Sequence, residues 1–154
     1  MPKYFSNEQQ WLGNAIPSPA GDEALGGRKR TYRATINLDA PKLSQTANGA
    51  GVLTTDTVSL CVIPPMSKFV RGWVTTSVSL GTSTIAIGPA ATPAKYKAAA
   101  VQTVTDTPTP FGGAVQMSQA PLPVSEEILL TVGVANLPTT AGQRLIIDME
   151  FIAP

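Results

Sequence analysis

Histidine is absent from this chain, and cysteine occurs once, as Cys61. The first absence removes the imidazole general base, the Ser-His-Asp triad and histidine metal ligation. It also counts against a metal-dependent double-sheet barrel. The second rules out an internal disulfide and any disulfide framework of the secreted kind. Charge is scarce as well. Lys, Arg, Asp and Glu make up 14% of the residues, against about 25% in an average globular chain. The 11 basic and 10 acidic residues leave a net charge of +1, which gives no general attraction to nucleic acid. No apolar run approaches the ~18 residues of a membrane span. The opening "MPKYFSNEQQWLGNAIPSPAG" has no signal-peptide-like core. These absences predict a soluble protein made in the cytoplasm of its producing cell, with neither membrane nor nucleic acid as direct partner.

What is present favours strands. The chain is 43% hydrophobic, and Val, Ile and Thr recur in short alternating runs, which argues against disorder. Its 154 residues suit a single domain with its own core. Residues 1–30 differ from the rest. They hold Pro17, Pro19, Gly21, Gly26 and Gly27, irregular aromatics and the basic run Arg28-Lys29-Arg30. This predicts an extended N-terminal arm that docks on its own domain or on a neighbour, since free Phe and Trp side chains would face water at a cost.

Alternation starts at Thr31, so residues 31–154 are read as the folded domain. "TYRATINLD" turns Tyr32, Ala34, Ile36 and Leu38 one way and Arg33 and Asp39 the other. "VLTTDTVSLCVI" puts Val58, Leu60 and Val62 on one face, and Pro64-Pro65 ends the run. From Lys68 to Leu80 the stripe is Val70, Val74, Val78 and Leu80, with Phe69, Arg71 and Trp73 opposite. "STIAIG", the end of "TPAKYKAAAVQTVT" and a weak "GGAVQMSQ" add three strands, with "DTPTPFGG" read as a loop. "EEILLTVGVA" aligns Ile128, Leu130, Val132 and Val134, and "QRLIIDMEFIA" aligns Leu145, Ile147, Met149 and Phe151. Some eight strands result, separated by Pro- and Gly-bearing turns, without a crossover helix. The expected fold is an all-β antiparallel β-sandwich, jelly-roll-like, with an immunoglobulin-like sandwich as the alternative.

Reactive groups are few. Cys61 lacks a histidine to activate it and reads as a small apolar residue. Asp148 and Glu150 share a strand face, which would suit a glycosidase pair or calcium ligands. Alternation alone also places them on the solvent side of an edge strand or against a basic partner. Arg28, Lys29, Arg30 and Arg33 could touch an acidic protein surface, an anionic lipid or nucleic acid, or could anchor the arm through salt bridges. Lys95-Tyr96-Lys97 is a smaller basic patch. Trp73, Phe69 and Arg71 suit an interface, or else a second buried face. No catalytic, cofactor or metal site is expected, and the chain reads as one that works by binding and shape.

The stretch "GWVTTSVSLGTSTIAIGPAATPAKYKAAAVQTVTDTPTPFG", together with "LTVGVANLPTTAGQRLII", resembles a family of small structural proteins of tailed bacteriophages. The resemblance spans about Val70 to Gly113 and the C-terminal part. It implies a virion component, most simply a head decoration or cement protein that binds the major capsid protein, often as a trimer at a symmetry axis. On that basis the expected contact residues are Tyr4, Phe5, Trp11, Arg28, Lys29 and Arg30 of the arm, with Phe111 in a loop. The alternative is a host-surface or glycan-binding module of a phage fibre or tail.

Overall fold

The structure, a computed structural model, describes residues 3–5, 28–38, 52–54 and 56–153. Its elements are β1 (Lys3–Phe5), β2 (Arg28–Asn37), β3 (Thr57–Ile63), β4 (Lys68–Thr76), β5 (Thr84–Gly88), β6 (Lys97–Val101), β7 (Thr109–Phe111), α1 (Ala114–Met117), β8 (Glu126–Gly133) and β9 (Arg144–Ala153). They form a four-stranded sheet in the order β2-β9-β4-β7 and a five-stranded sheet in the order β1-β3-β8-β5-β6.

The antiparallel pairs β2–β9, β3–β8, β4–β7 and β5–β6 nest inside one another. They are the rungs of one long hairpin. Rolling it brings β4 beside β9 and β5 beside β8, which completes the two sheets. This nesting is the jelly roll, and it excludes the immunoglobulin-like order. β1 joins the edge of the five-stranded sheet in parallel with β3.

The core forms where the inward stripes of both sheets meet. Ile36, Val74, Leu145, Ile147 and Phe151 from one sheet face Val58, Ile85, Ile87, Ile128 and Leu130 from the other, all fully buried. Burying a side chain of this kind contributes ~1.5–3 kcal/mol, so these stripes hold the sheets together without staples. Phe69, Tyr96, Phe111 and Phe151 stack within this core, with ring centroids 4.9–6.2 Å apart.

Three irregularities shift residues from where strict alternation places them. A register shift between Phe69 and Arg71 lets Phe69 join Val74 in the core, while Arg71 and Trp73 stay outside. A second, between Ser59 and Cys61, brings Cys61 and Ile63 into the core and turns Val62 outward. Each extra residue in one strand inverts the facing beyond it. In the third case β8 ends at Gly133. Val134, expected in the inward stripe, takes φ +67° and stands 75% exposed.

Three elements differ from the sequence expectation. The strand expected at the end of "TPAKYKAAAVQTVT" lies earlier, as β6 over Lys97–Val101, because the alanines pair along β5. "GGAVQMSQ" is not a strand: Ala114–Met117 form one helical turn, capped where Gln116 Oε1 accepts the Gly113 N–H at 3.0 Å. Its Ala, Gln and Met favour helix. The missing strand is β7, inside "DTPTPFGG", where Pro110 lies opposite Trp73. Proline is tolerated there because β7 is a sheet edge.

Candidate interaction face

The outer face of the four-stranded sheet gathers much of the chain's charge. β9 runs through its middle, so Asp148 and Glu150 lie on an interior strand and not on an edge, as alternation alone had suggested. Strand register then sets their neighbours. Glu150 lies between Thr31 of β2 and Arg71 of β4, and Asp148 lies between Arg33 and Trp73.

The acids are paired. Arg33 meets Asp148 in a two-pronged contact, Nε to Oδ1 at 2.7 Å and a second nitrogen to Oδ2 at 2.9 Å. Glu150 is clamped from both sides, by Lys29 Nζ at 2.7 Å and by Arg71 Nε at 2.7 Å. The Arg71 guanidinium also lies 4.7 Å from the centre of the Trp73 ring, a cation–π arrangement. Only 9% of the Glu150 side chain is exposed, against 50% and 52% for Lys29 and Arg71. Burial by itself would raise the Glu150 pKa, but the hydrogen-bonded Lys29 and Arg71 outweigh it and hold the carboxyl below its ordinary value.

These pairings leave the two carboxylates as counter-ions in a lattice of side chains. A glycosidase pair needs one carboxyl kept protonated, and the Glu150 environment does the reverse. Among the described residues no group of Cys, Asp and Glu could hold a metal ion. Cys61 is buried and its thiol pKa is pushed up by burial, then by Glu127, which is the opposite of an activated nucleophile.

A second polar cluster closes the other sheet. Glu126 accepts from Lys95 Nζ at 2.7 and 3.0 Å and from the Tyr96 hydroxyl at 2.5 Å. Tyr96 is buried, and its pKa is raised by burial and by Glu126. Lys97 is also buried, its Nζ donating to the carbonyls of Ile85 at 3.1 Å and Ala98 at 3.3 Å, and burial lowers its pKa. Lys95-Tyr96-Lys97 therefore pins a loop and offers little basic surface.

The expected contact residues are placed as follows. Tyr4 and Phe5 belong to β1, their backbones opposite Val58 and Ser59. Trp11 lies outside the described residues. Arg28, Lys29 and Arg30 belong to β2, and Lys29 takes part in the Glu150 clamp. Phe111 is 9% exposed and stacks on Phe69, so its ring fills the core. Sequence reasoning did not assemble Lys29, Arg33, Arg71, Asp148 and Glu150 on one face. The orientation of each side chain accords with alternation, but bringing them together needs the order β2-β9-β4.

No helix among the described residues is long and apolar enough to cross a membrane. No family model matches the chain, and neither does any curated protein. Solved structures do share its fold. A chain of the cyanophage Pam1 capsid asymmetric unit superposes with a TM-score of 0.61 at 16% identity, over 92% of this chain and 96% of that one. A chain of the capsid of Ralstonia phage GP4 superposes with a TM-score of 0.65 at 13% identity, over 99% of each. At these identities the likeness is one of fold, and it extends over nearly the whole length of the chains compared.

Proposed function

We propose that this chain is a structural component of a phage virion, a decoration or cement protein that binds the major capsid protein and stabilises the head. The observation that carries the reading is the end-to-end likeness of fold to chains from two phage capsids. The residue chemistry is consistent with it. The candidate acids are neutralised by neighbouring cations, the cysteine is buried, and the molecule works by shape and transforms no substrate. Copies associate, as trimers on this reading, so that many modest contacts act together on a symmetric shell. The N-terminal segment makes contacts to the shell or a neighbouring copy through Tyr4, Phe5 and Trp11, with Arg28, Lys29 and Arg30 at the start of β2, and the β-sandwich from β2 onward carries the fold.

Co-sedimentation of the purified chain with phage heads that lack it tests this reading. Wild type should saturate the heads at a fixed copy number. A chain without residues 1–27, which keeps β2 whole, should remain folded and lose most of its binding. Wild type that leaves the heads bare would sink the function. A truncated chain that coats them normally would remove only the role of the arm.

A further inference from the structure

We infer that the outer face of the four-stranded sheet docks onto an acidic protein surface; the inference rests on the shell-binding reading and names a second contact surface that acts together with the N-terminal segment. Arg33, Lys29 and Arg71 occupy this face with their acids. Lys68 and Arg144 share it, because Lys68 lies opposite Ile152 and Arg144 lies opposite Asn37 on the side away from Leu145 and Phe69. Five cations against Asp148 and Glu150 leave the face at +3. Elsewhere among the described side chains, Arg30, Lys95 and Lys97 against Asp56, Asp106, Glu126 and Glu127 sum to −1. The positive surplus of the described fold therefore lies on this sheet.

The surplus is available to a partner. Lys68 and Arg144 are exposed and, among the described residues, have no side-chain ion pair. Eight residues separate their rows along β9, or about 26 Å of strand. They therefore mark the two ends of a broad face. Between them lies Trp73, held under Arg71, and beside Lys68 lies Ile152, which is 43% exposed. Aromatic and Arg side chains with an exposed aliphatic group and a charged rim make up the usual composition of a protein interface.

The arrangement discriminates between occupants. Two positively charged faces of this kind repel each other, so a second copy does not fit face to face. A phosphate backbone would meet Asp148 and Glu150 along the central strand, where its charge is least welcome. A protein surface can place acids over Lys68 and Arg144 and neutral groups over β9, and opposite potentials of this kind steer association and fix orientation.

The test has two arms. In the first, the full chain is titrated with poly-L-glutamate and, separately, with a double-stranded DNA oligomer, while backbone amide shifts are followed. Poly-glutamate should shift residues of β2, β4 and β9, and the double variant Lys68→Glu/Arg144→Glu should weaken its binding by at least ~10-fold. No localised shift, an unaffected double variant, or tighter binding to DNA would overturn the inference. In the second arm the same variant is added to heads lacking the chain. Binding reduced by a similar factor, and further reduced by salt, supports the inference. Unchanged binding overturns it while leaving the shell reading intact, whereas wild type that fails to bind heads overturns that reading itself. Thermal unfolding of the variant should match wild type, since neither side chain is paired within the described fold.

Discussion

Replacing Phe111 by alanine separates two roles for one ring. As a shell contact, the ring could be removed without loss of stability. As core, it could not. The structure gives the magnitude. Phe111 lies opposite Gly72 across the β4–β7 pair, and its ring occupies the space a side chain at Gly72 would fill. It also stacks on Phe69, with centroids 6.2 Å apart and planes inclined by 19°. Phe-to-Ala changes in cores cost about 3–5 kcal/mol, and the lower end applies because β7 is a sheet edge and the ring keeps 9% exposure. A loss of about 3 kcal/mol lowers the melting temperature of a domain this size by roughly 6–12 °C. Urea unfolding followed by tryptophan fluorescence should show the midpoint moving with an unchanged slope. Gly72→Ala should also destabilise, because its new methyl collides with the ring, and the double variant should lose less than the two single losses combined. A Phe111→Ala protein of normal stability that no longer binds heads would refute this reasoning and return the ring to the contact surface.

Other expectations concern ionisable groups. Glu150→Gln should cost about 1–2 kcal/mol at neutral pH, since its charged hydrogen bonds are strong but both partners are half in water. Because the folded-state pKa is depressed, the carboxylate's contribution is complete above the ordinary glutamate pKa and is lost as pH falls through the folded value. Unfolding curves of wild type and Glu150→Gln should therefore converge in acid, and a gap that persists there would contradict the clamp. Tyr96→Phe should cost about 1 kcal/mol by removing the hydroxyl that Glu126 accepts, measured by the same unfolding assay; a neutral result would mean the hydroxyl is dispensable. Cys61 should resist an aromatic disulfide reagent at mildly alkaline pH in the native protein and react completely once unfolded; rapid native labelling would contradict its burial and raised pKa.

The sequence made the architecture legible because most strands carry a regular two-residue stripe. In β9, Leu145, Ile147, Met149 and Phe151 are all buried, as alternation requires. It was misleading where strand geometry is irregular. The bulge next to Phe69 and the bulge before Cys61 invert the facing of the residues beyond them, and no local residue type announces either one. β7 was hidden by its prolines, which are compatible with an edge but read as a loop. The interaction face was legible only in parts. Arg71 and Glu150 each pointed outward in the sequence pattern, yet they are 79 positions apart, and only the rolled hairpin makes them neighbours. The clamp on Glu150 depends on long-range pairing that a single sequence does not specify.

The central proposal is that this chain coats a phage shell. A three-dimensional map of intact particles purified from cells that make the chain tests that directly. The account predicts jelly-roll density of this shape repeated at symmetry-related positions on the outside of the head, with the four-stranded sheet turned toward an acidic surface of the shell. Particles whose heads carry no such density, while the chain is found elsewhere in the infected cell, would contradict it.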